Sequence, residues 1–254
     1  LAGAAILAAG AGGTILMHRY DGIPARAGNA GVLKALGIPI DLGGKTVANT
    51  VIKHGFGYLD IALYHPPLYR FLELRQELGV RSVFHPIARL LNPARASSQV
   101  VGLSHPPHFE KTAEAIRMLG LPRALVVRGV EGDPELSIAM TTKVLELRDE
   151  RITPLTLAPK DAGLPLATSR EMAGYPPEQR EKEADLLRRI LHNQVGGGQR
   201  DWVLLNAGLL LYAGGKGGSL TDSMSLARRA LEDGGAARKL EALTQTPVAV
   251  AQNF

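Results

Sequence analysis

Three stretches of the chain carry side chains whose types and spacing could do chemistry. The first is residues 15–37, ILMHRYDGIPARAGNAGVLKALG, where an apolar run breaks into a Gly/Pro loop that feeds a helix at Asn29. A strand, a glycine-bearing loop and a helix start can cradle a phosphate with backbone N–H groups. His18, Arg19, Asp21, Arg26, Gly28 and Asn29 are the candidate contacts: the arginines add charge, and the Asn29 amide could bond a ligand oxygen. A tight strand-to-helix turn with Asn29 as an ordinary N-cap has the same spacing. The second stretch is YHPPLYRFLELRQELGVR, with His65 at a helix entry, Arg75 ten residues on and Arg81 beyond. Arginine offers a fork of donors matched to a carboxylate, so this set could hold an anionic small molecule; a solvated helical face is the other reading. The third is RGVEGDPELS, where Glu131, Asp133 and Glu135 follow an apolar run. Carboxylates there could hold Mg²⁺ bridging to substrate phosphates, although Pro134 limits how they converge, and a polar turn is the plainer alternative.

A further pattern is basic. Arg70, Arg75, Arg81, Arg89 and Arg95 fall within 26 residues and are opposed there only by Glu73 and Glu77. Facing one groove, they would suit a polyanion such as single-stranded nucleic acid; otherwise they are a solvated helical face. The seven histidines show no metal-ligand spacing, and no nucleophile elbow or Walker loop is present.

The whole chain sets the frame. Its 254 residues are 45% hydrophobic and 21% charged, enough for a sizeable core. The net charge of +5 mildly favours anionic partners, either a phosphorylated small molecule or nucleic acid. There is no cysteine, which excludes disulfides and thiolate metal sites and fits a reducing, cytoplasmic setting. The opening LAGAAILAAGAGGTILM lacks the basic start and cleavage pattern of a signal peptide and is a weak membrane span, so no membrane association is expected.

The elements that must position the candidates alternate. A small-residue helix (1–10) leads to a buried strand (13–17), the loop 18–29 and a helix ended by Gly37. A helix over 46–55 precedes a strand over 55–64. PPLYRFLELRQELG reads as a helix to Gly79, and RSVFHPIARLLNP as a second, stopped by Pro93. A strand at 99–105, an amphipathic helix after it and a strand at 123–129 form a βαβ unit, which implies parallel pairing. KVLELRDERITPLTLAP (143–159) reads as an antiparallel hairpin, and the chain is helical from 176 onward. The expected fold is therefore α/β, with a mixed, mainly parallel sheet flanked by helices and a helical lobe, in one domain over 1–254.

Several of these segments together resemble one family, the anthranilate phosphoribosyltransferases of the nucleoside-phosphorylase-like fold. MHRYDGIPARAGNAGVLKALG aligns without gaps with the family's K-H-G-N-R-x-x-S-S-x-x-G-S-A-D-V-L-E-x-L-G. GFGYLDIALYHPPLYRFLELRQELGVRSVFHPIARLLNP, EGDPELS and DWVLLNAGLLLYAGG are similar to its later motifs. The resemblance implies a pentosyl transferase of tryptophan-biosynthesis type, using phosphoribosyl pyrophosphate with Mg²⁺, often as a homodimer. It also implies that the family's N-terminal helices and its G-T-G-G-D loop lie before residue 1. By the same resemblance His65, Tyr64 and Arg75 bind the acceptor, Arg75 through its carboxylate, while residues 18–29 face the phosphoribosyl end and Asp133 and Glu135 lie near the metal. The family Lys falls on Met17, its Asn on Tyr20, its paired Ser on Pro24 and Ala25, and its Asp on Gly31; the Asp-Glu pair of the metal loop reads Pro134-Glu135. These departures imply a diverged donor site with weak anthranilate activity. The alternative is a nucleic-acid binder on the same fold, of the kind known in a branch of the family.

Overall fold

The computed structural model describes residues 1–19, 29–78, 83–104, 106–130, 134–168, 171 and 175–247, and within these all side chains except those of 19, 62, 72–76, 78, 85, 106 and 177. The chain opens with α1 (Ala2–Gly10), then β1 (Ile15–Arg19), α2 (Asn29–Ala35), α3 (Gly44–His54), β2 (Phe56–Asp60), α4 (Ile61–Tyr64), α5 (Pro66–Leu78) and α6 (Phe84–Leu90). There follow β3 (Ser98–Leu103), α7 (Phe109–Met118), β4 (Arg123–Arg128), β5 (Thr142–Arg148) and β6 (Arg151–Leu157). Four helices close the described chain: α8 (Arg180–Leu191), α9 (Gly198–Ala213), α10 (Leu220–Glu232) and α11 (Gly235–Thr244). Among the described residues no helix is long and apolar enough to cross a membrane.

The strands form two sheets. One is the parallel pair β1–β2; the other has the order β3-β4-β5-β6. Within the second sheet β3 and β4 are parallel, as the βαβ reading requires, while β4–β5 and β5–β6 are antiparallel. The hairpin turn at Asp149 and Glu150 takes positive φ at both residues. That matches the right-handed twist of the strands it joins.

Burial explains why β4 is nearly all apolar. Leu125 and Val127 enter the large core shared with the helices, and Ala124 and Val126 enter a second core beneath α7. A central strand covered on both faces has no reason to alternate. β5 shows the same division, with Val144 on one side and Leu145 and Leu147 on the other. α1 is buried from Ala2 to Ala9 and packs among α9, α10 and α11. Its small side chains allow helices to approach it from several directions. The helical lobe is tied to the sheet by Tyr212 of α9, whose hydroxyl donates to the Glu146 carboxylate at 3.0 Å.

Two expected strand bounds change, for one reason. β1 runs to Arg19, so His18 and Arg19 belong to the strand and not to the loop. β2 stops at Asp60, where the chain turns into α4, so Tyr64 is helical and His65 follows directly after. Among the described residues the parallel ladder ends at the pair Arg19–Asp60, and residues 61–64 satisfy their backbone by coiling.

Candidate active site

In the first sheet the parallel pairing places His18 beside Leu59 and Arg19 beside Asp60. Both strands therefore end together, and in open α/β sheets the carboxyl ends of the strands are where ligands bind. His18 stands at the end of β1, and His65 follows the single-turn α4 that begins where β2 stops. Their rings meet edge to face, with centroids 6.0 Å apart and planes at 83°. Both Nε2 atoms are buried without a hydrogen-bond partner. Burial, reinforced by the neighbouring His65, lowers the His18 pKa from 6.5 to about 4, so its ring is neutral at pH 7. Tyr64, expected beside the pair, packs instead against Leu42, Val47 and Leu59, and its hydroxyl donates to the Leu42 carbonyl at 3.2 Å; burial raises its pKa. The Arg75 backbone lies in α5; its side chain, like that of Arg19, lies outside the described residues.

A second group forms where loops from the two sheets meet the start of α1. The Ala2 N–H donates to Asn29 Oδ1 at 3.3 Å, and the Leu1 amino group pairs with Glu135 Oε1 at 2.7 Å. Asn29 is the first residue of α2, and its side chain serves the first turn of α1. That is a cap on a neighbouring helix, where the sequence suggested a cap on its own. Asp21, Arg26, Gly28, Glu131 and Asp133 lie outside the described residues.

The loop that carries Glu135 is fixed by residues that sequence reasoning passed over. In α9 the buried Asn206 accepts the Leu136 N–H at 3.0 Å and donates to the Leu136 carbonyl at 3.1 Å, and Trp202 Nε1 donates to the same carbonyl at 2.7 Å. An asparagine inside the apolar run of DWVLLNAGLLLYA was the available signal, since a buried amide demands partners. On the other side the loop presses on β3: a Cβ at Gly102 would collide with the Pro134 carbonyl oxygen.

Two α8 residues join this group. Arg180 lies over Gly31 of α2, and its Nε is buried without a partner. Glu183 is half-buried with Oε2 likewise unpartnered; burial chiefly raises its pKa, with the Leu1 amino group and Arg180 opposing and Glu135 adding to the rise. Neither residue was singled out in the sequence, where the replacement of a family Asp by Gly31 was the trace of the change.

The arginine run does not act as a unit in the described residues. Arg70 and Arg95 are exposed, whereas Arg89 donates to the Gly102 carbonyl at 2.8 Å and so serves the end of β3. Arg81 and the Arg75 side chain lie outside the described residues.

The two sheets and the helical lobe beside them have known relatives among glycosyl transferases. Residues 2–237 match the model described as the glycosyl transferase family, a/b domain. The chain is 38% identical over 239 residues to the anthranilate phosphoribosyltransferase of Haloarcula marismortui, covering 94% of this chain and 71% of that one. It is 35% identical over 240 residues to that of Methanocorpusculum labreanum, covering 94% and 69%. Among solved structures it is similar to anthranilate phosphoribosyltransferase from Thermus thermophilus, with a TM-score of 0.85 at 35% identity over 96% of this chain and 71% of that one. The Saccharomyces cerevisiae enzyme in complex with PRPP and Mg shares the fold at a TM-score of 0.83 and 21% identity, over 96% of this chain and 68% of that one. The chain belongs to the anthranilate phosphoribosyltransferase family of glycosyl transferases.

Proposed function

We propose that the chain transfers the phosphoribosyl group of phosphoribosyl pyrophosphate (PRPP) to a nitrogen acceptor, and that its donor side has diverged so that anthranilate turnover is slow. The observation that carries this is the histidine pair: His18 near the end of β1 and His65 just after the single turn that follows β2, each with a buried Nε2 that the protein does not satisfy. A buried polar atom without a partner needs an explanation, and here two of them face each other where a ligand could supply it. With a pKa of about 4, His18 meets that ligand as a neutral ring and can accept an amine N–H. In the reaction the acceptor nitrogen bonds to ribose C1 as the C1–O bond to diphosphate breaks, and the proton that the nitrogen gives up passes to the departing diphosphate or to water. His18 and His65 orient the amine, and the Arg75 guanidinium holds an acceptor carboxylate.

Divergence rests on position 17. Met17, in the place of the family lysine, is 7% exposed and packs in the main core. It offers diphosphate no donor. Mg²⁺ fits the acids that remain. It binds through one or two carboxylates while keeping waters and substrate phosphates. Glu135 with the unpartnered Oε2 of Glu183 nearby would hold it, although no cluster of three or more ligating side chains occurs among the described residues. Bound there, it would neutralise the departing diphosphate.

The test is loss of anthranilate fluorescence with PRPP and Mg²⁺. Turnover well below the ordinary range of about 1–10³ s⁻¹ is expected. Turnover within that range would overturn the divergence. Absence of both turnover and PRPP binding would overturn the transferase reading. In that case, sub-micromolar, salt-sensitive binding of a single-stranded oligonucleotide would put the nucleic-acid reading in its place.

A further inference from the structure

Arg180 is a cation placed where a helix disfavours one. It opens α8, and the first turn of a helix carries a partial positive charge. Elsewhere in this chain helical arginines close ion pairs at i,i+3 spacing: Arg117 with Glu114 at 2.8 Å and Arg188 with Asp185 at 3.8 Å. Arg180 and Glu183 have that spacing in the reverse order, which couples less well to the helix dipole. They do not pair; the Arg180 Nε and the Glu183 Oε2 are each buried and unpartnered. The guanidinium is laid over α2 instead. A Cβ on Gly31 would stand 2.8 Å from its Nη1 and 2.9 Å from its Cζ and Nε, so the missing side chain at 31 makes room for the arginine.

The surroundings say what such a cation is for. Gly31 lies two residues beyond Asn29, whose side chain reaches the start of α1. Glu183 is within electrostatic reach of Glu135 and Arg180. A guanidinium beside the Glu183 carboxylate, each with an unpartnered buried atom, is an arrangement for a ligand that brings both anionic oxygens and a divalent cation. Met17 is buried in the core in the place where, by the family resemblance, a lysine stands.

We infer that Arg180, seated over Gly31, binds a phosphate oxyanion of the donor's diphosphate and replaces the cation that Met17 does not supply. The identity of the donor rests on the transferase reading; the oxyanion site itself does not.

The probe is inorganic pyrophosphate with Mg²⁺, titrated calorimetrically into the full chain. Arg180→Gln weakens binding about tenfold to a hundredfold, the scale of a charged hydrogen bond, with an unchanged melting temperature. Arg180→Lys recovers part of the affinity, because the charge returns without the fork. Gly31→Ala displaces the guanidinium and weakens binding in the same direction, which keeps the test open should Arg180→Gln fail to fold. Any turnover with PRPP shows the loss in KM and not in kcat. Pyrophosphate binding by Arg180→Gln within twofold of wild type overturns the inference, as does wild type that binds no pyrophosphate. Pyrophosphate binding that depends on Arg180 in a protein that neither binds PRPP nor transfers its phosphoribosyl group overturns the transferase reading and leaves this inference standing.

Discussion

The acceptor side and the donor side of this site are built in opposite ways. The acceptor side needs only two adjacent strands: β1 and β2 end in register, and His18 and His65 follow from that alignment. Its polar atoms are few, buried and, at His18, neutral. The donor side gathers residues far apart in sequence, namely Asn29, Gly31, Glu135, Arg180 and Glu183, at the starts of three helices. Its groups are charged, and two of them keep unpartnered atoms. The difference teaches where change is tolerated. A site made by a strand register cannot move without moving the core beneath it. A site made by side chains converging from loops and helix starts can be refilled, and the inferred exchange of a β1 cation for Arg180 of α8 would be such a case.

The largest effect should come from breaking the donor side at its support. Gly102→Ala drives a methyl into the Pro134 carbonyl. It should cost about 3 kcal/mol in denaturant unfolding and abolish pyrophosphate binding, because the Glu135 loop must shift. Preserved binding would show that the loop and the donor site are separate. On the acceptor side, His65→Gln should lower kcat/KM for any amine acceptor by about 100-fold, the low end for a positioned proton-handling group, with pyrophosphate affinity unchanged. A parallel loss of pyrophosphate affinity would dissolve the distinction between the two sides.

A smaller effect sharpens it. Met17→Lys sets an ammonium at a core position of β1 and should destabilise the apo chain by about 2 kcal/mol, since the stem can carry the charge only part of the way out. Thermal melts with and without pyrophosphate check this; a variant as stable as wild type would mean that the donor side reaches β1 after all. The last effect is in pH and is small at neutral pH, where His18 is largely uncharged in both states. The His18 pKa is about 4 in the folded chain against 6.5 unfolded, so between these values the unfolded chain binds more protons. Stability therefore rises with pH across that window; the His18 contribution is fully present above 6.5 and is lost as pH falls through 4. Unfolding curves for His18→Gln should show a flatter rise, and an unchanged slope would argue that the ring is already solvated.

Much of the fold was legible in the sequence because its elements bury strongly patterned faces. The all-apolar ALVV of β4 announced a strand covered on both sides, and the charged turn of 143–159 announced the hairpin. The failures were at strand ends. Residues 61–64 have strand-like composition, and only the end of the β1 ladder makes them a helix. In the site, His65 and Glu135 could be named from their motifs, whereas Asn206 and Trp202 could not. Both lie in an apolar helix, and their task, holding the backbone of Leu136, appears only when α9 packs on that loop.

By itself the sequence determined the alternation of elements, the family and the side chains missing from the donor motif, because periodicity, glycine placement and motif spacing are local properties. Only the tertiary structure decided that His18 and His65 face each other, that Asn29 serves α1, and that Arg180 fills the space left at Gly31. Each is a contact across tens of residues or more, and what a side chain touches at that range is fixed by packing.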